Sequence, residues 1–184
     1  MKRCHADLGL KFGPGENTLL GYFNGSPEMS YAGEMRKLVG PRRIFVPGVR
    51  AVIVNAAGEI LLQRRNDNDL WGLPGGSVEL DESPLTALRR EVAEETSLEV
   101  VSAEPMGLYC GPRQKFTYPN GDEVQCFALA FIVRNWRGTP RADGIEGSTL
   151  RFFSLFDQPK DIVPVHLATI EDYRRYNGSF LLSH

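Results

Sequence analysis

The sequence predicts a single α/β domain built on a mixed β-sheet with few helices, and three observations support this prediction. The segment Val49–Asn55 is rich in β-branched residues, which are typical of strands. Val124–Val133 is apolar on both faces, as expected for a strand buried on both sides. Two segments, one beginning at Ser83-Pro84 and one spanning Val165–Tyr176, carry apolar residues at helical spacing.

Length and composition narrow the class of protein. The chain has 184 residues, of which 42% are hydrophobic and 24% charged, as in an ordinary globular domain. Its formal net charge of -2 offers no general attraction for nucleic acid or an anionic membrane, so we expect neither as a partner. No apolar run approaches the roughly 18 residues of a membrane span. The cysteines are odd in number and unpatterned, which favours reduced thiols in a cytoplasmic protein (Cys4, Cys110 and Cys126).

The N-terminal part is predicted to be an extension. Residues 1–28 are rich in Gly, Pro and Asn and show no sustained period. Met29–Val39 has better helix formers and stops at a Gly-Pro pair. Its apolar residues are predicted to share one face, namely Tyr31, Met35, Leu38 and Val39. We therefore divide the chain into an extension over residues 1–43, with a short helix near 29–39, and a domain over residues 44–184.

Turn signals predict two hairpins. Ala57-Gly58 lies between Val49–Asn55 and Glu59–Arg65, so these two segments are predicted to pair. Asn120-Gly121 is the strongest short-range hairpin signal in the chain, and it precedes the long apolar strand.

The C-terminal part is predicted to hold one more strand and a closing helix. Leu150–Leu155 follows a Gly-rich loop and is predicted to be a strand. In the closing helix, Val165–Tyr176, four side chains are predicted to face the core: Leu167, Ile170, Tyr173 and the stem of Arg174.

The segment Gly75–Leu98 concentrates carboxylates to a degree that solubility alone rarely requires. It holds six acidic residues and two basic ones (Glu79, Asp81, Glu82, Glu91, Glu94 and Glu95; Arg89 and Arg90). Neighbouring like charges repel one another, and a divalent cation would remove that repulsion. The segment therefore predicts a site for a hard cation such as Mg²⁺ or Mn²⁺, which prefer oxygen ligands.

A helix is predicted to carry these carboxylates. Ser83 is a suitable N-cap and Pro84 suits the first turn. One face is predicted to be buried through Leu85, Leu88 and Val92, while Glu91, Glu94 and Glu95 project together from the other. The Gly75 carbonyl is a further candidate ligand, because glycine lets the backbone approach an ion closely. Arg90 is predicted to pair with Glu82 and so join the loop to the helix.

The spacing of this segment resembles the Nudix box. From Gly76 the pattern runs through Glu82 to Arg90-Glu91 and then to Glu94-Glu95, and the preceding WGLPGGSVE resembles the family's usual entry to the box. One fixed position differs, since Ser97 stands where the family has Gly. We expect Ser97 to adopt a left-handed conformation, at a cost of roughly 1 kcal/mol, and to strain the helix end slightly.

The resemblance implies a fold, a reaction and a set of site residues. It implies an α/β/α sandwich with the box as a loop–helix unit, and hydrolysis of a nucleoside diphosphate linked to another group X with Mg²⁺ or Mn²⁺. It makes Glu91 and Glu95 the metal ligands, with Glu94 a third ligand or the base. In many members the base lies on a later loop, where Glu146 or Asp143 could reach over and Glu123 is a weaker candidate. The catalytic set is thus Glu94, Glu95 and Glu146, and the metal set is Gly75, Glu91, Glu94 and Glu95.

Several residues are candidates for contacting the substrate, each with a structural alternative. Arg64 and Arg65 suit phosphate, although an Arg at a strand end is often only solvated. Trp71 and Tyr118 could stack on a base, or could serve as a packing anchor and as half of an aromatic pair with a neighbouring Phe. A basic group could contact substrate phosphate or offset the acidic site (Arg36, Lys37, Arg42, Arg43 and Arg50). The three histidines carry no motif.

Three functions remain open at this stage. The first is a metal-dependent pyrophosphohydrolase acting on a small nucleotide, such as a nucleotide sugar, an ADP-ribose-like compound or a nucleoside triphosphate. The second is a Nudix-like domain that binds a nucleotide ligand without cleaving it, which is disfavoured because all the box glutamates are present. The third is a prenyl diphosphate isomerase, for which nothing specifies the acid–base pair. The family resemblance also makes a homodimer a candidate assembly.

Overall fold

Three helices and eight strands make up the part of the chain that the computed structural model describes, residues 30–118 and 120–183. The helices are α1 (Tyr31–Val39), α2 (Pro84–Thr96) and α3 (Pro164–Arg174). The strands are β1 (Ile44–Ile53), β2 (Ile60–Arg65), β3 (Trp71–Gly72), β4 (Glu99–Tyr109), β5 (Lys115–Thr117), β6 (Glu123–Arg137), β7 (Gly147–Phe153) and β8 (Leu181–Leu182). A short 3₁₀ turn, Pro112–Gln114, precedes β5.

The strands form two sheets, and β6 is the central strand of the larger one. In this mixed sheet β6 pairs in parallel with β1 and antiparallel with β4 and β5, while β8 pairs with the far edge of β4. The smaller sheet has the order β3-β2-β7. The middle of β6 is buried on both faces, from Phe131 to Val133, which confirms the prediction for this part of the long apolar strand, whereas Phe127 is 40% exposed.

The side chains of β1 and β6 alternate between two core layers. One layer lies between the sheet and α2, and the other between the sheet and α3. On one side Ala51 and Ile53 pack with Leu88 and Val92 of α2. On the other side Val52 packs in the layer that holds Ile170 of α3. Successive side chains of a strand point to opposite faces, so one apolar strand can build both layers. The arrangement is an α/β/α sandwich, and the fold prediction is confirmed.

One hairpin prediction is confirmed and the other is wrong. β5 and β6 pair around Asn120-Gly121, where Tyr118 N donates to Asp122 O (2.9 Å) and Gly121 has a φ of 88°. By contrast β1 and β2 lie in different sheets, and the two segments pair only next to the turn, through an antiparallel bridge between Val54 and Ile60 and a hydrogen bond from Asn55 N to Glu59 O (3.0 Å). The chain does turn there, but β1 pairs along its whole length with β6, so β2 joins the smaller sheet.

Helix α1 is confirmed in its bounds but not in its orientation. Ser30 caps it, with Oγ accepting from Gly33 N (3.1 Å), and Gly40 ends it with a φ of 67°. Leu38, one of the four apolar residues predicted to share a face, is 78% exposed. Arg36 is buried instead, because its guanidinium donates to three backbone carbonyls and lies near Asp122 (3.4 Å). Hydrogen bonds at the helix end thus override the apolar spacing.

Helix α3 also has nearly the predicted bounds but differs in which residues are buried. The structure begins it at Pro164 and ends it at Arg174, close to the predicted bounds. Ile170 is buried as predicted, but Leu167 is 39% exposed and Thr169 is fully buried. Thr169 Oγ1 accepts a hydrogen bond from Arg50 of β1 (3.1 Å), which turns this side of the helix toward the sheet.

Two further observations concern the chain as a whole. No helix in the described ranges is long and apolar enough to cross a membrane. Cys110 and Cys126 are free thiols, as predicted, while Cys4 and residues 1–28 lie outside the described residues. The predicted boundary between extension and domain stays a prediction, although Tyr31 N of α1 donates to Glu79 Oε2 of the acidic loop (2.8 Å).

Candidate active site

The acidic segment forms a loop followed by helix α2, as predicted. Ser83 caps the helix, since its Oγ accepts from Thr86 N (3.2 Å), and Pro84 occupies the first turn. Leu88 and Val92 are fully buried. Leu85 is 37% exposed, and Ala87 is buried instead. The predicted burial of Leu85, which lies in the first turn of the helix, is therefore wrong.

Arg90 joins the loop to the helix. Its Nε donates to Glu82 Oε1 (3.0 Å) and its Nη2 to Glu82 Oε2 (2.9 Å), which confirms the predicted pair. Nη2 also donates to the carbonyl of Ser77 (2.9 Å). This two-pronged contact fixes geometry as well as charge. The Arg90 guanidinium lowers the pKa of Glu82, which is ionised at neutral pH.

The helix ends at Ser97 in the left-handed conformation predicted for it. Its φ is 59° and its ψ is 20°, and its N–H donates to Ala93 O (3.0 Å). Glycine adopts this conformation without the steric cost that a Cβ adds. The carboxylates upstream are held in regular helix.

The three helix glutamates are buried to different degrees. Glu91 is 2% exposed and Glu95 fully buried, so both lie on the inner side of α2, while the side chain of Glu94 is 41% exposed and contacts Arg90 (3.3 Å). Glu94 and Glu95 are consecutive and therefore about 100° apart around the helix axis. Glu91 and Glu94 nevertheless accept from the same Arg90 Nη1 (2.8 and 3.3 Å), so these two share a face as predicted and differ in burial.

Glu95 is a buried carboxylate in which one oxygen accepts a hydrogen bond and the other does not. Its Oε2 accepts from Gly75 N (2.7 Å), whereas Oε1 has no hydrogen-bond partner within the described residues. Burial raises the pKa of Glu95, and the nearby charges of Glu146 and Glu91 raise it further. A buried polar atom without a partner is costly in a native structure, and an acidic oxygen in this position suits a cation.

Glu91 lies against the loop glycines. A Cβ at Gly76 would sit 2.6 Å from the carboxyl carbon of Glu91, so only glycine allows this approach. Glu91 Oε1 accepts from Arg90 Nη1 (2.8 Å). Burial raises the pKa of Glu91 to about 8, against the lowering effect of Arg90.

These residues fit a hard divalent cation. The donors are carboxylate oxygens, one of them unpartnered, and the repulsion that raises the pKa of Glu95 is the kind that a cation relieves. Across residues 30–118 and 120–183, no three His, Cys, Asp or Glu side chains are already arranged as a metal-binding group. Glu91 and Glu94 are both paired with Arg90 instead (2.8 and 3.3 Å).

Glu146 approaches the cluster from the loop before β7. It is 6% exposed, and its charge contributes to the raised pKa of Glu95. Burial raises the pKa of Glu146 itself. Asp143 shapes this loop, since its Oδ1 accepts from the backbone N–H groups of Ile145 (3.1 Å), Glu146 (3.2 Å) and Gly147 (3.1 Å). The weaker candidate, Glu123, is instead paired with Arg43 (2.6 Å).

A pocket opens beside the carboxylates and takes in some of the predicted substrate residues. Arg65 and Tyr118 line it together with Gly75 and Gly76. Arg65 is oriented by Asp67, to which Nε and Nη2 donate (2.9 and 3.0 Å). Tyr118 meets Phe116, which also lines the pocket, edge to face with ring centres 4.9 Å apart.

Arg64 and Trp71 lie elsewhere. Arg64 contacts Asp69 (2.7 Å) and Asp161, and its guanidinium stands over the Trp71 ring (5.7 Å). Trp71 packs edge to face on Phe153 with ring centres 4.9 Å apart. Neither is among the described residues that line the pocket. Arg64 and Arg65 are consecutive in a strand, so the pleat sends them to opposite faces.

Two pocket residues were not singled out from the sequence. Arg50 was grouped with other basic residues, and His166 was considered without a motif, yet both line the pocket. His166 is held by Leu73 N, which donates to its Nδ1 (2.9 Å). Neither position has a local spacing that could have identified it, because the pocket joins β1 to α3.

The buried carboxyls predict how stability depends on pH. The pKa of Glu91 is raised to about 8 by burial, so between pH 4.5 and 8 the folded protein keeps a proton that the unfolded chain has released. The free energy of unfolding of the metal-free protein should therefore fall as pH rises through this window. Mg²⁺ should stabilise the protein more at pH 8 than at pH 5.5, because ligands must be deprotonated to bind.

Thermal unfolding at pH 5.5, 7 and 8, with EDTA and with Mg²⁺, checks this expectation. Glu91→Gln should flatten the fall in EDTA, while Glu99→Gln, at an exposed glutamate near Arg137, should leave it unchanged. An EDTA series in which stability rises with pH from 5.5 to 8 in the unmodified protein would contradict it.

Comparison with known proteins identifies the family. The family model described as NUDIX domain matches residues 44–173. The chain is 32% identical over 136 residues to a putative 8-oxo-dGTP diphosphatase from Bacillus subtilis (strain 168), an alignment that covers 74% of this chain and 83% of that protein. It is 44% identical over 55 residues to an RNA pyrophosphohydrolase from Pseudomonas putida, but that match spans only 30% of this chain and 35% of the relative.

A solved structure supports the same assignment. The MutT NUDIX hydrolase from Burkholderia pseudomallei superimposes with a TM-score of 0.59 and 26% identity, over 70% of this chain and 97% of that one. The matched range contains the loop, helix α2 and the pocket described above. The resemblance seen in the box thus extends over residues 44–173, and the chain belongs to the NUDIX family as an enzyme of its pyrophosphohydrolase type.

Proposed function

We propose that this protein hydrolyses a diphosphate bond in a nucleoside diphosphate linked to another moiety, using Mg²⁺ or Mn²⁺. The observation that carries the proposal is Glu95, a fully buried carboxylate with an unpartnered oxygen, beside Glu91 and Glu146. A folded protein retains such a costly cluster where the cluster binds or reacts. Its close relatives are named for diphosphatase and pyrophosphohydrolase activities.

Glu91 and Glu95 would hold the cation, with the Gly75 carbonyl and Glu94 completing the set. When bound, a divalent cation stabilises charge on the phosphate oxygens and activates water. Arg90 would hold the loop and helix in register while Glu91 turns from Arg90 to the ion, a change that Glu82 permits because it remains paired with Arg90. The exposed position of Glu94 suits a contact at the outer side of the site.

Glu146 is our candidate for the general base. Its burial raises its pKa, and a base whose pKa lies closer to neutral accepts a proton more effectively than an ordinary carboxylate. Arg65 would orient the substrate phosphates, because it lines the pocket next to Gly75 and is itself oriented by Asp67. Tyr118 would contact the group beyond the phosphates. Arg64 and Trp71 are not carried into this proposal.

A substrate panel tests the proposal. The full chain would be incubated with dGTP, 8-oxo-dGTP, ADP-ribose, a nucleotide sugar and a 5′-triphosphorylated RNA, each with Mg²⁺, Mn²⁺ or EDTA, and released nucleotide, phosphate and pyrophosphate would be measured. We expect cleavage of at least one compound with metal and none with EDTA. Cleavage of none would overturn the proposal, and undiminished cleavage in EDTA would overturn its metal requirement.

Asp143 should affect activity through Glu146. Asp143→Ala removes the acceptor of three backbone N–H groups, so Glu146 should lose its position and kcat should fall about 10- to 100-fold with little change in KM. Asp143→Asn keeps one acceptor oxygen and should recover part of the loss. Steady-state kinetics on the best substrate of the panel would measure both. Full kcat in a folded Asp143→Ala protein would refute the positioning role.

Partner and location follow as further predictions. The proposed partner is a small nucleotide that enters the pocket beside Gly75. A cytoplasmic location and a homodimer stay predictions, the first motivated by the free thiols and the second by the family resemblance.

A further inference from the structure

Helix α1 contacts the acidic loop at its first residue. Tyr31 N donates to Glu79 Oε2 (2.8 Å), and Ser30, which caps the helix, is buried. Glu79 belongs to the segment Gly75–Leu98 that carries the proposed metal ligands. One of its carboxylate oxygens is therefore occupied by a backbone donor of α1.

From Glu79 a series of hydrogen bonds leads to the proposed metal ligands. Glu79 N donates to Glu82 Oε2 (3.1 Å), and Glu82 N donates to Glu79 O (3.2 Å). Glu82 is held by Arg90, whose Nη1 donates to Glu91 Oε1 (2.8 Å). The position of α1 is thus linked, through Glu79, to the loop and helix that carry Glu91.

The last turn of α1 contacts a different wall of the site. The buried guanidinium of Arg36 donates through Nη2 to Glu123 O (2.9 Å), and its Nε lies 3.4 Å from Asp122 Oδ1. Asp122 O in turn accepts from Tyr118 N (2.9 Å), and Tyr118 lines the pocket. Arg36 therefore holds the turn between β5 and β6 that carries Tyr118.

Stability alone does not account for an arginine at this position. Burying a guanidinium is costly even when it is paired, and an apolar side chain of similar volume often gives equal or greater stability. The planar fork adds geometry, because its N–H groups bind several acceptors at fixed angles. Arg36 uses Nε, Nη1 and Nη2 in this way, so it fixes the end of α1 and the β5–β6 turn relative to one another.

We propose that α1 positions the active site from both of its ends. Through Glu79 it holds the acidic loop where the cation binds, and through Arg36 it holds Tyr118 where the substrate binds. Glu79 and Arg36 are positioning residues, since neither is among the described residues that line the pocket. The inference rests on the proposed function, because it concerns the metal and substrate of that same site. The two ends should have separate effects, one on the metal requirement and the other on KM.

The loop end is tested by Tyr31→Pro against Tyr31→Ala. Proline removes the N–H that donates to Glu79, yet it suits the first position of a helix, and Ser30 before it already has the extended backbone that proline requires (ψ 144°). Alanine keeps the N–H and is the matched control. The Mg²⁺ concentration for half-maximal activity should rise about 3- to 10-fold in Tyr31→Pro relative to Tyr31→Ala, with kcat at saturating Mg²⁺ unchanged. Equal Mg²⁺ requirements in the two variants would overturn this half of the inference.

The hairpin end is tested by Arg36→Met, which keeps an apolar stem but removes the fork. KM for the best substrate of the panel should rise about 10-fold, with kcat and the Mg²⁺ requirement unchanged, because Tyr118 is displaced while the metal loop is not. Asp122→Ala removes the partner carboxylate and should raise KM about 3-fold, which keeps the test open if Arg36→Met fails to fold. Arg134→Gln, at an exposed residue paired with Glu104, is the control. An unchanged KM in Asp122→Ala and in any folded Arg36→Met protein would overturn this half.

A double-variant cycle separates positioning from a general loss of stability. If Arg36 acts through Tyr118, Arg36→Met should raise KM about 10-fold in the unmodified protein but less than about 2-fold when Tyr118 is already replaced by alanine. Asp122→Ala takes the place of Arg36→Met in the cycle if the latter does not fold. Effects that multiply in full would overturn the link to Tyr118.

Failure of this inference is separable from failure of the proposed function. If the panel shows cleavage and the variants match their controls, only the inference fails. If no nucleotide is cleaved, the proposed function fails, and two measurements without substrate decide the inference. Electron paramagnetic resonance compares Mn²⁺ binding by Tyr31→Pro and Tyr31→Ala, and NMR hydrogen exchange follows the Tyr118 amide in Arg36→Met or Asp122→Ala. Weaker Mn²⁺ binding and faster exchange support the two halves, and the absence of either difference overturns the corresponding half.

Discussion

Glu95→Gln is expected to lower kcat by about 10²- to 10⁴-fold at saturating Mg²⁺. Glu95 is fully buried, accepts from Gly75 N through Oε2 and leaves Oε1 without a partner. Gln has the same shape and can keep the contact with Gly75, but it lacks the negative charge that a cation needs. The substitution also removes a repelling charge next to Glu146, so the metal-free protein should be at least as stable at pH 8.

Two comparisons make the Glu95 result specific. Glu94→Gln should cost less activity than Glu95→Gln, because the side chain of Glu94 is 41% exposed. Glu99→Gln, at an exposed residue just beyond the same helix, should have full activity. Kinetics and thermal unfolding, each with Mg²⁺ and with EDTA, would be measured on all three variants. Full kcat in Glu95→Gln would remove Glu95 from the proposed site.

The second large effect is expected at Gly75, where alanine should lower the free energy of unfolding by about 2–4 kcal/mol. The φ of Gly75 is 142°, a conformation that residues with a Cβ rarely adopt. An added Cβ would press on the carbonyl of Val49, with the carbonyl carbon 3.0 Å away and Arg50 Cα also at 3.0 Å. These are backbone atoms of a central-sheet strand, so they cannot move aside cheaply. Denaturant unfolding would measure the loss.

Gly76→Ala is the matched comparison. Its added Cβ would meet the carboxyl group of Glu91, which is the end of a side chain and can turn away. Stability should change by less than about 1 kcal/mol, but the Mg²⁺ concentration for half-maximal activity should rise about 10-fold or more. If Gly75→Ala were as stable as the unmodified protein, the close approach of the loop to β1 would be wrong. If Gly76→Ala needed no extra Mg²⁺, the proposed role of Glu91 as a metal ligand would be wrong.

Local features of the site could be predicted from the sequence because they depend on residues close together in the chain. Ser83 caps α2, Ser97 ends it in the left-handed conformation, and Arg90 pairs with Glu82. Each follows from a short spacing and a known backbone preference. The Asn120-Gly121 hairpin is of the same kind.

The side of each helix that faces the sheet was harder to predict, because several side chains of a helix can occupy the buried face. Leu167 was expected in the core, but Thr169 took the inner position through a hydrogen bond from β1. In α1 the buried position belongs to Arg36, which donates to a carbonyl of β6. Glu94 was grouped with Glu91 and Glu95, since the helical spacing admits all three. The choice among them depends on where the sheet lies, and spacing alone does not contain that information.

The sequence by itself determined the family, the loop–helix unit and the chemistry of its carboxylates, because these reside in one continuous segment, Gly75–Leu98. Only the tertiary structure decided which carboxylates are buried, that Arg65 rather than Arg64 reaches the pocket, and that Arg50 and His166 lie in its wall. The reason is physical. The pocket is formed where β1 and α3 pack together, more than a hundred residues apart in the chain, and burial is a property of that packing.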